Sequence, residues 1–350
     1  MVSQCGCDFN KEIVRLRSFD MLKLFAIFLV IWGHSILWFI SSDPIDSAIY
    51  RDLNAFHVAT FMMISGYFSS SSINKDFKTF FTRKFMRLIY PCLVWGVIVW
   101  ISLKLMILIR TGFLGYDILS FIEDIYWYGN FWFLRSCFIC YCLAYIFRHV
   151  LKRFWIIGSL IISQLIFSFF VPFMYPCFLV GLLLRENNFL WDKMLSLSFL
   201  LIVVFCMMLF FWNKDLWILS HGLSVDLADI RMFDVVKIGL GRLYRLLLGM
   251  VGGISLIFIF HKHLNVGKNE KIGNLLLDWG KYTLEIYIMQ AIVFEMILSR
   301  FVNFDGISLS VFYYIVSPLV SVIILIICIS LIKLFYRSKV LGKLLFYKEC

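Results

Sequence analysis

Apolar residues along this chain gather into long runs, not into the short alternations of surface strands or the narrow stripes of soluble helices. A helix needs about 20 apolar residues to cross a bilayer. Ten segments approach that length: 22–40, 53–70, 86–109, 131–147, 154–171, 173–184, 195–212, 242–260, 281–299 and 309–332, the sixth being the shortest. The first is too long for a signal-peptide core, holds His34, and ends in Ser41-Ser42-Asp43-Pro44 without a small-residue cleavage pattern, so it is read as a span. The pattern predicts an all-α fold, a polytopic membrane helical bundle of about ten transmembrane helices.

Composition agrees with the pattern. Hydrophobic residues make up 62% of the chain and charged residues 16%, against about 45–50% and about 25% in soluble domains. So large an apolar excess must face lipid. The net charge of +11 would suggest nucleic acid in a soluble protein. Here most of the Lys and Arg residues fall in loops that alternate along the chain, which predicts cytoplasmic N- and C-termini and no nucleic-acid partner.

The opposite loops, 41–52, 113–130 and 213–241, are the acidic ones. The chain therefore divides into a cytoplasmic tail at 1–20, a membrane domain at 21–335 and a basic tail at 336–350. The ten cysteines lack the paired spacing of a metal site, and no metal is expected.

Ionisable groups within a span are costly and mark candidate sites. His34 lies twelve residues past Leu22, about 18 Å along a helix. His57 lies four residues, about 6 Å, into the antiparallel second span, which sets the two imidazoles at similar depth. A neutral imidazole suits proton abstraction near neutral pH, and also suits a hydrogen-bonded packing role.

Arg135 is placed to hold an anion or developing oxyanion, or to snorkel to the interface. Glu285 and Glu295 share the ninth span with Gln290; ten residues is close to three turns, so both look at one interior face or pair with a cation. Arg83, Lys84 and Arg87 form a basic run that is either topogenic or a phosphate contact. Trp127, Tyr128, Trp132, Trp212 and Trp217 gather at the outer face as sugar-stacking candidates or as an interfacial belt.

Five segments in order carry a resemblance to the integral-membrane acyltransferase family 3. Phe19-Asp20-Met21-Leu22-Lys23 leading to His34 resembles the family's opening motif, with Lys23 where Arg is more usual. Phe56-His57 through Ser65-Gly66-Tyr67 resembles the second-span motif, and Arg83-Lys84-Phe85-Met86-Arg87 to Pro91 the basic stretch that follows. Asn130-Phe131-Trp132-Phe133-Leu134 is similar to the Trp-Phe-Leu signature. Gly280-Lys281-Tyr282-Thr283-Leu284-Glu285-Ile286-Tyr287 is similar to the late motif, which commonly ends in His where this chain has Gln290.

The resemblance implies an O-acyltransferase of the bacterial inner (plasma) membrane, moving an acyl group from acyl-CoA, most commonly acetyl-CoA, to a sugar hydroxyl of a lipid-linked or cell-surface glycan. The acyl-CoA is a co-substrate, and no bound cofactor is expected. On this reading His34 is catalytic with Arg135 as oxyanion holder; Lys23, Arg83, Lys84 and Arg87 bind the donor; His57 and Trp132 bind the acceptor. Asp20, Ser65, Gly66, Glu285 and Tyr287 are motif residues. The alternative is a transporter or flippase of lipid-linked saccharides, although no Gly/Pro-broken spans recur at matching positions in the two halves.

Overall fold

The computed structural model describes residues 2–111, 131–166, 170–221, 232–263 and 271–347. Helices dominate, and no strand occurs among the described residues. The principal elements are α1 (Val2–Trp38), α2 (Ala48–Tyr67), α3 (Phe77–Lys84), α4 (Tyr90–Thr111), α5 (Trp132–Val150), α6 (Val171–Glu186), α7 (Ser198–Phe211), α8 (Met232–His263), α9 (Lys271–Gly280), α10 (Thr283–Ala291) and α11 (Ser317–Phe335).

Among the described residues five helical segments are long and apolar enough to cross a membrane: Arg17–Trp38, Phe77–Ile109, Trp132–Val150, Asp234–Lys262 and Leu309–Phe335. Two further pairs, Asn188–Ser196 with α7 and Gly273–Gly280 with Thr283–Arg300, bend by 67° and 71° and raise the number to 7 if each is one span. This is a multi-pass membrane protein.

The remaining expected runs fall on helices that miss that measure for identifiable reasons. The 20 residues of α2 are long enough, but Arg51, Asp52, Asn54 and His57 lower its hydropathy. The run at 154–171 holds a helix of only 11 residues, Trp155–Leu165, and 173–184 lies within the 16 residues of α6. Exposed Phe199, Phe210 and Leu319 continue the apolar outer surface that lipid would cover.

Local chemistry sets the helix ends. Asp43 Oδ1 accepts from the Ile45 amide at 2.9 Å, and Ser47 Oγ accepts from the Tyr50 amide at 3.3 Å to start α2. Asp76 Oδ2 accepts from the Thr79 amide at 2.9 Å to start α3. Such caps satisfy amides that have no partner within the helix.

The C-terminal end of α1 and the segment before α11 are clasped together. Asp305 accepts from the Ser41 amide at 2.7 Å and the Ser41 hydroxyl at 2.6 Å, and Phe304 donates its amide to Phe39 O at 2.9 Å. The Ser41 hydroxyl and amide hold the Asp305 carboxyl below its ordinary range. Further in, Trp32 Nε1 donates to Ser317 Oγ at 2.8 Å and Ser321 Oγ to Ser35 Oγ at 3.3 Å. Buried hydroxyls thus join α1 to α11 where lipid supplies no hydrophobic drive for association.

Helix α2 sits at the centre, between α1, α6 and α8. Its contact with α6 is a backbone-to-backbone approach. A Cβ on Gly66 would lie 1.9 Å from Phe178 O, and one on Gly181 would lie 1.8 Å from Met63 O. Only glycine fits at such a crossing. We expect Gly66→Ala and Gly181→Ala each to lower the unfolding midpoint of detergent-solubilised protein, consistent with an overpacking cost of about 1–3 kcal/mol. Gly239→Ala, whose Cβ would meet nothing within 4 Å, should leave it unchanged or higher; equal effects at all three positions would refute the tight crossing.

Candidate functional site

A cavity of about 470 Å³ opens between α1, α2, α5, α10 and the stretch that joins α3 to α4. Its volume falls within the range of small-molecule sites. His34, His57, Lys23, Lys84, Arg87, Trp132, Ser65 and Tyr287, all singled out in the sequence, line it together. They come from five segments spread over more than 260 residues.

The helices explain the convergence. On α1, Lys23 and His34 are separated by eleven residues, about 16 Å along the axis. The Lys23 ammonium lies 5.0 Å from the centre of the Phe68 ring, just past the end of α2. His57 lies eleven residues before Phe68, again about 16 Å away on a helix that runs the other way. The two histidines therefore occupy one depth. His57 is buried and its Nδ1 is hydrogen-bonded to Leu53 O, which leaves Nε2 for the cavity.

The basic end is built by two local irregularities. Between α3 and α4 the chain makes a wide π-type turn, Phe85–Ile89, a distortion frequent at functional sites. Lys84, Arg87 and Leu88 line the cavity there, with the Lys84 ammonium 3.6 Å from the Tyr141 ring centre. Arg83 is exposed and does not line the cavity.

The second irregularity is the 71° bend after α9. A Cβ on Gly280 would lie 2.1 Å from Asp20 O, so glycine lets the bend press against α1. The Thr283 hydroxyl donates to Gly280 O at 2.6 Å. Lys281 is thereby brought to the cavity beside Lys23, while Asp20 holds the Lys23 ammonium at 2.8 Å.

Other expected residues go elsewhere. Arg135 is half-buried on α5 and does not line the cavity. Glu285 accepts a 2.7 Å hydrogen bond from Tyr336 Oη, which ties α10 to the end of α11. Gly66 belongs to the crossing with α6. Trp212 and Trp217 are buried in a second apolar cluster, and Trp212 Nε1 donates to Arg51 O at 3.1 Å. Trp127, Tyr128, Asn130, the loop 113–130 and the middle of the loop 213–241 lie outside the described residues.

Asn54, Tyr141, Lys281, Thr283 and Gln290 also line the cavity, though the sequence reading assigned them no role. Asn54 lies three residues before His57, the spacing of one helix face, and its Nδ2 donates to Tyr50 O at 2.9 Å. That spacing was the signal available in advance. Lys281 was visible as part of the late motif, but nothing in the linear order pairs it with Lys23.

The arrangement has two chemical zones. Four cations, Lys23, Lys84, Arg87 and Lys281, stand at one end, and His34, His57, Asn54 and Gln290 stand at the other. Phe61, Phe133 and Tyr287 form an aromatic wall, with Phe133 ring centres 5.8 Å from Phe61 and 5.6 Å from Tyr287. Such a site can hold a long ligand that is anionic at one tip, and can move a proton at the other. Among the described residues no group of His, Cys, Asp and Glu is placed to hold a metal ion.

Comparison with known proteins follows the same lines. The chain is 28% identical over 218 residues to Nodulation protein NolL of Mesorhizobium japonicum, a match covering 57% of each chain. It is 24% identical over 308 residues to Nodulation protein NolL of Sinorhizobium fredii, covering 82% of this chain and 79% of that protein. The first match thus spans little more than half of that relative's length. No solved structure matches. Residues 16–332, which carry every lining residue of the cavity, match the family described as "Acyltransferase domain", and the chain belongs to that family of acyltransferases.

Proposed function

We propose that this protein is an O-acyltransferase of the inner (plasma) membrane that moves an acyl group, in the first instance acetyl, from acyl-CoA to a sugar hydroxyl of a lipid-linked or cell-surface glycan. The observation that carries the reading is the division of one cavity into a four-cation end and a histidine tier about 16 Å apart. Coenzyme A is polyanionic at its nucleotide and uncharged along its thin arm. Lys84 and Arg87 suit the phosphates, and Lys23 and Lys281 do so while balanced by Asp20 and Asp278. With the N-terminus cytoplasmic, this end opens to the compartment that holds CoA.

The arm then extends past the aromatic wall and brings the thioester to His34. The imidazole takes the proton of the acceptor hydroxyl as its oxygen attacks the carbonyl carbon. A C–O bond forms, the C–S bond breaks, and the proton passes from His34 to the leaving thiolate, which departs as the free thiol. Arg135 stands off the cavity, so the developing oxyanion is left to Asn54, the amide on α2 in the histidine tier. His57, at the depth of His34, orients the acceptor, and Trp132 at the rim offers a face for the sugar ring.

Thiol release from acetyl-CoA by purified protein, with lipid-linked and polymeric glycans as acceptors, tests the proposal. His34→Ala is expected to lower turnover by about 10²–10⁴-fold without altering the folded yield. A fully active His34→Ala protein would end the catalytic assignment.

Arg87→Ala is expected to raise the KM for acetyl-CoA by about tenfold, the loss of one charge-assisted hydrogen bond, with kcat little changed. The penalty should vanish with an acetyl-pantetheine donor that lacks the nucleotide. Movement of saccharide across proteoliposomes with no thiol released would instead favour the transporter reading.

A further inference from the structure

Gln290 is 1% exposed and lines the cavity, yet its Oε1 has no hydrogen-bond partner among the described residues. A buried polar atom left in this state costs about 1–3 kcal/mol. Its neighbours in the chain, Ile288, Met289 and Ala291, are buried and apolar, so nothing local relieves it. Such an atom is explained most simply by a ligand that donates to it.

Its depth identifies which part of the ligand that is. The rings of Phe39 and Phe294 meet at 5.2 Å. Phe39, one residue past the end of α1, lies five residues beyond His34, and Phe294, on the π-type turn Ile292–Ile297 that continues α10, lies four beyond Gln290, each about 6–8 Å. Gln290 therefore stands in the tier of His34. Oε1 is an acceptor only, so it requires a donor there. In an acyl transfer the donor substrate brings to this tier a thioester, which has no N–H or O–H. The amides of its arm lie back towards the basic end. The hydroxyls of the acceptor remain.

We propose that Gln290 grips a second hydroxyl of the acceptor while His34 deprotonates the first, so that the protein selects acceptors that carry a diol. The inference rests on the acyltransferase reading of the same cavity. It assigns no bond-making step to Gln290: the transferred acyl group still leaves sulfur for the first hydroxyl oxygen, and the second hydroxyl keeps its proton.

Small alcohols probe this without knowledge of the natural glycan. Purified wild type and Gln290→Met are given acetyl-CoA with propan-1-ol, propane-1,2-diol or propane-1,3-diol. Ester formation and thiol release are both measured. Wild type is expected to acylate one of the diols at least about tenfold better in kcat/KM than the mono-alcohol, and Gln290→Met to lose that preference by lowering the diol rate alone. KM for acetyl-CoA should be the same in both proteins.

Methionine has nearly the volume of glutamine and no unmet acceptor, so the variant should also unfold at the same or a higher temperature. A lower midpoint would mark Gln290 as structural. Equal selectivity in the two proteins, thiol release with no ester from any alcohol, or a raised KM for acetyl-CoA in Gln290→Met would each overturn the inference. Failure of wild type to release thiol at all would instead bring down the acyltransferase reading beneath it.

Discussion

Everything in the cavity depends on how closely two helix backbones approach. Gly66 meets Phe178 O and Gly181 meets Met63 O at distances where a Cβ would overlap the facing carbonyl. The crossing pulls α2 against α6, and the other face of α2 is then free to carry His57, Asn54 and Ser65 towards the cavity. The gain comes from close packing, since lipid competes for apolar surface as well as another helix does. A bulkier residue at either position would push α2 away from α6 and disturb all three polar groups with it.

The second organising force is electrostatic. Charges are expensive in a bilayer, and the site confines its cations to one end, where each has compensation short of a full buried ion pair. Lys23 has Asp20, Lys84 lies over the Tyr141 ring, Lys281 pairs with Asp278 at 3.6 Å, and Arg87 is exposed at the surface. The opposite tier uses groups that carry no permanent charge: two imidazoles and two amides. The protein thus presents positive charge to the polyanionic tip of a ligand and a proton acceptor to its reactive end, with an aromatic wall between them.

Much of this was legible in the linear order of residues. The helical class followed from the length of the apolar runs, because barrel strands cross lipid in about 10 alternating residues and only a helix needs about 20 continuous apolar ones. His34 and His57 stood out because titratable groups inside apolar runs are rare, and counting residues along antiparallel helices set them at one depth. The basic run before Pro91 and the Gly280-Lys281 motif were also visible.

What the chain could not declare was direction around each helix axis. Arg83, Lys84 and Arg87 look equivalent in order, but the wide turn at Phe85–Ile89 puts Lys84 and Arg87 on the cavity and Arg83 outside it. Arg135 and Glu285 are ionisable groups inside apolar runs as His34 is, yet neither lines the cavity; the one belongs to another face of α5 and the other bonds Tyr336.

By itself, then, the sequence determined the solvent, the secondary structure and the short list of groups with chemistry to offer, because hydrophobicity and spacing are properties of the chain alone. The tertiary structure decided which of those groups meet. It brought Lys281 beside Lys23 through a 71° bend and left the buried Gln290 carbonyl without a partner among the described residues at the level of His34. Both outcomes depend on rotation and close approach between helices distant in sequence, which no local pattern encodes.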